Sequence, residues 1–220
     1  MKWMRNSLGL LAMTLTLSQP AWLASQEKAG DKIPASALFY HFMGRILVNP
    51  SNGATTVVGY FTDLEGIAGS LFDSAPSEAT AFFTFRTNDS GSPQILPTNI
   101  DLAVNQPGPG TYSMYFNPTP NGNWSSLDSF SDGQLVATFA RTTINSISVG
   151  PVNTQIFSSK LVSSADFTFR GKTYNLNRIV PNGLTNYHLG SNTPVSSGVA
   201  DFPLAFAFAG SAVALGKPSD

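Results

Sequence analysis

From Leu38 to Val48 the chain alternates with period two. Tyr40, Phe42, Gly44, Ile46 and Val48 share one face, and Phe39, His41, Met43, Arg45 and Leu47 share the other, which predicts a β-strand. Asn49-Pro-Ser-Asn-Gly53 is a turn cluster in which Gly53 can take positive φ without steric cost. Thr55–Asp63 then makes the return strand of a hairpin. Further strands are predicted over Ala79–Thr87, Ile95–Val104, Thr111–Phe116, Gln134–Thr143, Gln155–Val162, Phe167–Phe169, Thr173–Ile179 and Phe202–Leu215. Arg170-Gly171-Lys172 is a tight turn between two of them, and Pro97, which cannot donate to a ladder, marks an edge or a bulge. The best helical candidate in this stretch, Asp63–Ser77, is weakened by Gly66 and Gly69.

About nine or ten strands joined by turns, with almost no helix between them, exclude a parallel α/β sheet and predict an all-β fold. The expected architecture is a single antiparallel β-barrel of about eight to ten strands over residues 33–216, with a β-sandwich as second choice. Aromatic residues fall on both faces of several strands, from Phe39, Tyr40 and Phe42 to Tyr112, Tyr115 and Phe116. Such a sheet must be covered on both sides, as an extra strap would do, or must enclose something. Phe-Thr-Phe-Arg occurs at 83–86 and again at 167–170, read as strand composition recurring and not as a repeat. In strand number and length the chain resembles lipocalin-like and allene-oxide-cyclase-like barrels. That likeness is one of fold alone, carried by no motif of a named family.

The N-terminus has a different pattern. Lys2 and Arg5 precede an unbroken apolar run, Leu8–Leu17, and Pro20-Ala-Trp-Leu-Ala-Ser25 supplies small residues. This predicts a signal peptide over residues 1–25 with cleavage within 21–26. The run is too short for the ~20 residues of a membrane span, so the membrane is expected to be met only through the export signal. Removing Lys2 and Arg5 from 12 basic and 13 acidic residues leaves a net charge of −3, which excludes the basic footprint of a nucleic-acid binder. With no Cys in the chain, disulfide scaffolds, thiolate metal sites and Cys nucleophiles are excluded. An exported, cysteine-free chain is expected in a bacterial periplasm or outside the cell.

Candidate chemistry is sparse. There is no Gly-x-Ser-x-Gly elbow, and His41 and His188 are the only imidazoles, so no catalytic residues, metal site or cofactor are expected. His41 reads as a locally hydrogen-bonded barrel residue and His188, in a Gly/Asn-rich stretch, as surface loop. Asp63 and Glu65 are two residues apart, with Glu78 at the mouth of the next strand, an arrangement that could serve acid–base chemistry or hold Ca²⁺. Arg45, Arg86, Arg141 and Arg170 sit in or at the ends of strands, as edge gatekeepers or, less favoured, as interior ion pairs with Arg45–Glu65 or Arg45–Glu78 foremost. The Pro/Asn/Gly-dense loop Asn117–Trp124 delivers Trp124, and a second cluster, Gln106-Pro-Gly-Pro-Gly110, precedes the strand that carries Tyr112.

The function these features predict is non-enzymatic: an exported barrel that holds a small, mostly apolar ligand. His41, Arg45, Asp63, Glu65, Glu78, Tyr112 and Trp124 are the expected ligand-binding residues. The alternatives are an isomerase- or cyclase-type barrel enzyme using a pocket carboxylate, and a structural or surface-adhesion module. Mass spectrometry of the exported protein should find an N-terminus between residues 22 and 27; an intact Met1 on protein recovered outside the cytoplasm would remove the export reading.

Overall fold

The alternation of Leu38–Val48 becomes the first strand, β1. Gly53 takes φ 70° in the turn that follows, and the chain returns as β2, Thr55–Leu64. In this computed structural model residues 32–89, 94–96, 102–106, 109–142 and 144–216 are described. The signal segment, Pro97, the Pro107-Gly108 pair and the last four residues lie outside them. The remaining strands are β3 (Phe83–Asp89), β4 (Gln94–Leu96), β5 (Leu102–Gln106), β6 (Gly110–Phe116), β7 (Gln134–Arg141), β8 (Asn145–Val149), β9 (Val152–Ser164), β10 (Phe167–Phe169), β11 (Lys172–Tyr174), β12 (Leu184–Ser191), β13 (Val195–Val199) and β14 (Phe202–Ala214), with one helical turn, α1, at Leu176–Ile179.

Eight of these strands close an antiparallel barrel in the order β14-β1-β2-β3-β6-β7-β9-β12, because β12 pairs with β9 on one edge and with β14 on the other. Closure removes the sandwich alternative, and the long β9 makes it possible. Its residues from Ser159 onward pair with β7, while its first half pairs with β12 on one side and β8 on the other. β8, β5 and β4 continue the sheet beyond the ring.

Three differences from the sequence pattern have local causes. Asp63–Ser77 forms no helix, since Gly66 and Gly69 take φ 81° and 99°; just after it Glu78–Thr80 makes a 3₁₀ turn that takes the first two residues of the strand expected from Ala79. Thr173–Ile179 is strand only as far as Tyr174, because the Asn175 side chain accepts from Asn177 N–H at 2.9 Å and caps α1. β8, β12 and β13 are strands built largely of Ser, Asn, Thr and Gly, residues whose usual signal is a loop.

The inner face is aromatic, and glycines make room for it. Across β1, β2, β3 and β14, Phe42 is paired with Gly210, Phe208 with Gly44, and Phe85 with Gly59. A Cβ on Gly59 would lie 2.2 Å from Met43 O and 2.5 Å from Phe85 Cζ, and one on Gly44 2.6 Å from Phe208 Cζ. Each ring therefore lies where its partner has no side chain, and the rings meet edge-on, Phe42 with Phe85 and with Phe208 at 5.7 Å.

One end of the barrel is plugged. After β9 the chain folds β10, β11 and α1 beneath the ends of β3 and β6, where Phe83 meets Phe167 and Phe169 at 5.6 and 5.2 Å. The two Phe-Thr-Phe-Arg segments are thus wall and plug, touching each other. Outside, Leu47 and Val58 are buried under Leu127 and Phe130, so the strap expected over the second apolar face is the segment after β6. It is fastened by Thr84 Oγ1 donating to Phe130 O at 2.9 Å and by an Arg86–Asp128 ion pair at 2.6 Å. Because the barrel closes, its arginines guard no edge: Arg86 holds the strap, Arg45 lies over Trp124, Arg170 donates to Ser70 O, and Arg141 is buried in the wall.

Gly59→Ala should destabilise the fold by about 2–3 kcal/mol, since backbone on the next strand cannot move aside. Gly53→Ala meets nothing within 4 Å and should cost only the left-handed strain of about 1 kcal/mol. Urea denaturation of the two variants checks the difference, and equal costs would mean that the inner wall has space to spare.

Candidate functional site

Above the plug the barrel is not filled. Strand register puts Val48, Asp89, Gly110, Arg141 and Gly190 at the end opposite the plug. A cavity of about 60 Å³ occupies that half of the barrel. Two unlike walls enclose it. Phe42, Val57, Phe61, Phe85 and Phe208, from β1, β2, β3 and β14, form an apolar side; Tyr40, Tyr112, Arg141, Gln155, Asn186 and His188 carry polar atoms on the other.

Of these, Gln155 belongs to β9 and Asn186 and His188 to β12, the other three coming from β1, β6 and β7, and β9 also turns Phe157 to the cavity. Gln155, Ser159, Asn186 and His188 face inward or are buried, while Ile156, Val162, Tyr187 and Leu189 are exposed on the outside. Asn186 is opposite Phe157 and His188 opposite Gln155 in the β9–β12 pairing. Gly190 faces Phe208, which a Cβ would approach to 3.1 Å.

A closed hydrogen-bond network lies at the floor. The Tyr40 hydroxyl donates to Asn186 Oδ1 and lies 3.1 Å from the Tyr112 hydroxyl; Tyr112 is 3.3 Å from Ser159 Oγ, and Asn186 Nδ2 donates to the same oxygen at 3.1 Å. Burial raises the Tyr40 phenol well above its ordinary value, helped by the neighbouring Tyr112. Burial likewise pushes Tyr112 up to about 12, against its hydrogen bonds to Ser159, Tyr40 and Asn186. Both remain neutral hydroxyls across the physiological range.

His188 is the exception in this wall. It is 5% exposed, packs 4.6 Å from the Phe208 ring and 6.3 Å from Phe42, and its buried Nε2 has no hydrogen-bond partner. Gln155, directly across the ladder, turns its amide to Asn153 Oδ1 at 3.2 Å instead. The surface-loop reading of His188 is therefore corrected. Its flanking Asn and Gly are inward-facing strand residues, one held in the floor network and one making room for Phe208.

Of the seven residues expected to bind a ligand, Tyr112 lines the cavity. His41 is on the outer wall, exposed, with Nδ1 2.7 Å from Ser211 Oγ. Asp63 is opposite it in the ladder and also exposed, as is Glu65. Arg45 stacks on Trp124 with its guanidinium carbon 4.4 Å from the ring centroid, not on Glu65 or Glu78, because outward-facing Arg45 meets the strap first. Trp124 is 6.3 Å from Tyr60, whose phenol is raised by burial and by the charge of half-buried Glu78. Arg45, Glu78 and Trp124 thus gather outside the barrel, around Tyr60, and among the described side chains no carboxylate lines the cavity. Among the described residues no cluster of three metal-ligating side chains occurs.

Fold and site together define a class of protein, a closed eight-stranded antiparallel barrel, plugged at one end, with a two-sided cavity in the other half. No protein-family model, curated protein or solved structure matches the chain.

Burial also lowers the His188 pKa from 6.5 to about 4. Between those values the unfolded chain binds a proton that the folded chain refuses, so stability is complete above pH 6.5 and is lost as the pH falls toward 4. Urea denaturation at pH 7 and pH 5 should show the wild type losing about 2 kcal/mol more than His188→Gln. The same loss in both proteins would mean that the imidazole titrates normally in the fold.

Proposed function

We propose that the protein is an exported, non-enzymatic barrel that holds one small, mostly apolar molecule in the open half of its interior. The observation that carries this reading is the cavity itself, aromatic on one side and polar on the other, in a fold otherwise packed with Phe. Ligand sites in proteins share this composition: mostly apolar lining with a few placed polar groups that orient the occupant. An eight-stranded barrel is also of the width that side chains can fill, or that can instead hold one small ligand.

The alternatives draw less support. A cyclase- or isomerase-type enzyme was expected to work through a carboxylate, and Asp63, Glu65 and Glu78 all lie away from the cavity. An adhesion module calls for a filled barrel and an exposed aromatic patch. Here, among the described residues, the large exposed apolar side chains are aliphatic apart from Met43 and Tyr187. The aromatic interior is the reverse of the polar lumen of a membrane-spanning barrel, which favours a protein surrounded by water.

Native mass spectrometry of protein purified without detergent from its own host should show a small non-covalent adduct. Val57→Phe, which fills the cavity from the apolar side, should remove that adduct while leaving the protein folded. A clean ligand-free mass for the wild type would overturn the reading.

A further inference from the structure

On its outer side, the wall built by β8, β9, β12 and β14 turns an apolar surface to water. β8, β12 and β14 contain no Asp, Glu, Lys or Arg, and β9 contains only Lys160. Ile147, Val149, Ile156, Tyr187 and Leu189, with Met43 of neighbouring β1, are each 40–58% exposed. The ladders make them one surface. Tyr187 pairs with Ile156, Leu189 with Ala209 and Thr154, Ala209 with Met43, and Thr154 with Ile147.

These six side chains expose on the order of 500 Å² of apolar surface, toward the upper end for the largest patch on an ordinary monomer. With the Ala, Ser and Thr residues between them, the face approaches the ~800 Å² that each partner gives to a stable interface. The chain has no segment of its own to lay on it. After the signal segment, the stretches outside the described residues, 26–31, 90–93, 97–101 and 217–220, are polar or rich in Pro and Gly. A lipid surface fits poorly. The strap and its Arg86–Asp128 ion pair occupy the outside of β3, whereas a spanning barrel is apolar all round. Nor do β8, β12 and β14 offer any Lys or Arg to anionic headgroups.

The relief of the face is its own complement. β12 raises Tyr187 and Leu189 as a ridge, and β14 beside it exposes the small side chains of Ala207, Ala209 and Ser211 as a shallow groove. We propose that this face joins two copies of the chain in a symmetric dimer. A two-fold axis along the strands, between β12 and β14, lays the ridge of each copy in the groove of the other. Leu189 then meets Ala209 of the partner subunit and Tyr187 meets Ser211 of the partner subunit, because each pair is level in the β12–β14 register. Neither strand carries a charge that the contact would strip of water. The dimer does not depend on what the cavity holds.

Sedimentation equilibrium of the full mature chain at about 100 µM should give twice the mass of one chain. Leu189→Lys, which sets a charge on the ridge, should weaken the association at least about tenfold. Since the chain has no Cys, single cysteines report the contact directly. Leu189→Cys mixed with Ala209→Cys under mild oxidation should cross-link faster than either variant alone. Val162→Cys, exposed farther along β9, should not cross-link with Ala209→Cys. That readout stands even if Leu189→Lys fails to fold. A single-chain mass would overturn the proposal, as would a dimer that Leu189→Lys leaves intact or a 189–209 cross-link no faster than the Val162 control. A monomer that floats with phosphatidylcholine vesicles would overturn it in favour of lipid.

Discussion

Everything in this barrel depends on fitting large rings inside a ring of eight strands. An eight-stranded barrel has room for one layer of side chains across its axis, and Phe42, Phe61, Phe85 and Phe208 all project into it. The fit is achieved by setting a glycine across the ladder from a ring: Gly210 opposite Phe42, Gly44 opposite Phe208, Gly59 opposite Phe85. A slip of one residue in any of these pairings would turn a ring outward and put a Cβ into a neighbouring backbone, so the same contacts that fill the core fix the register. Each edge-on ring pair adds about 0.5–1.5 kcal/mol beyond its buried area, which concentrates stability on the β14-β1-β2-β3 side.

The two ends of the barrel follow from where that packing is continued. At the plugged end, Phe83 and Phe116 extend the aromatic layer and are capped by Phe167, Phe169 and Tyr174. At the other end, across from Phe42 and Phe208, β9 and β12 present Gln155, Asn186 and His188. Aromatic side chains at those positions would fill the space; shorter polar ones leave it open. The cavity thus coincides with polar residues at inward positions of two adjacent strands, an inversion that is fullest on β12, while β9 keeps Phe157 at the cavity.

That inversion explains what was legible in the sequence. β1 and β2 follow the ordinary rule, apolar inward, and their limits and faces can be read directly from residues 38–63. So can the all-β architecture, because polar turns separate most of the apolar runs, whereas closure rests on the β9–β12 pairing, which the polar pattern of β12 hides. β12 is opaque for the opposite reason. Its inward residues, Asn186 and His188, look like loop, and its outward residues, Tyr187 and Leu189, look like core. In the sequence, charge and aromatics coincide on the first hairpin, which points to a site there. But in a strand that obeys the rule, charge falls on the outside, and His41, Arg45 and Asp63 are there. Tyr112 could be found because its strand places a phenol among inward apolar residues. The signal that would have located the rest is a strand-length segment whose apolar residues occupy the wrong phase relative to its neighbours.

The same physics separates the satisfied members of the polar wall from the unsatisfied one. Tyr40, Tyr112, Asn186 and Ser159 are buried, and each hydrogen-bonds another member of the set. A closed network of that kind stiffens the floor, and its low-dielectric surroundings make it costly to break. A ligand would gain little by competing for those bonds. His188 differs in having an aromatic environment on its faces and no partner at Nε2. Its neighbours have been arranged to leave it alone, Gln155 by turning toward Asn153 and Gly190 by lacking a side chain. Rigidity is supplied by the satisfied members of the wall, because each bond they make inside the fold must be broken before the floor can move.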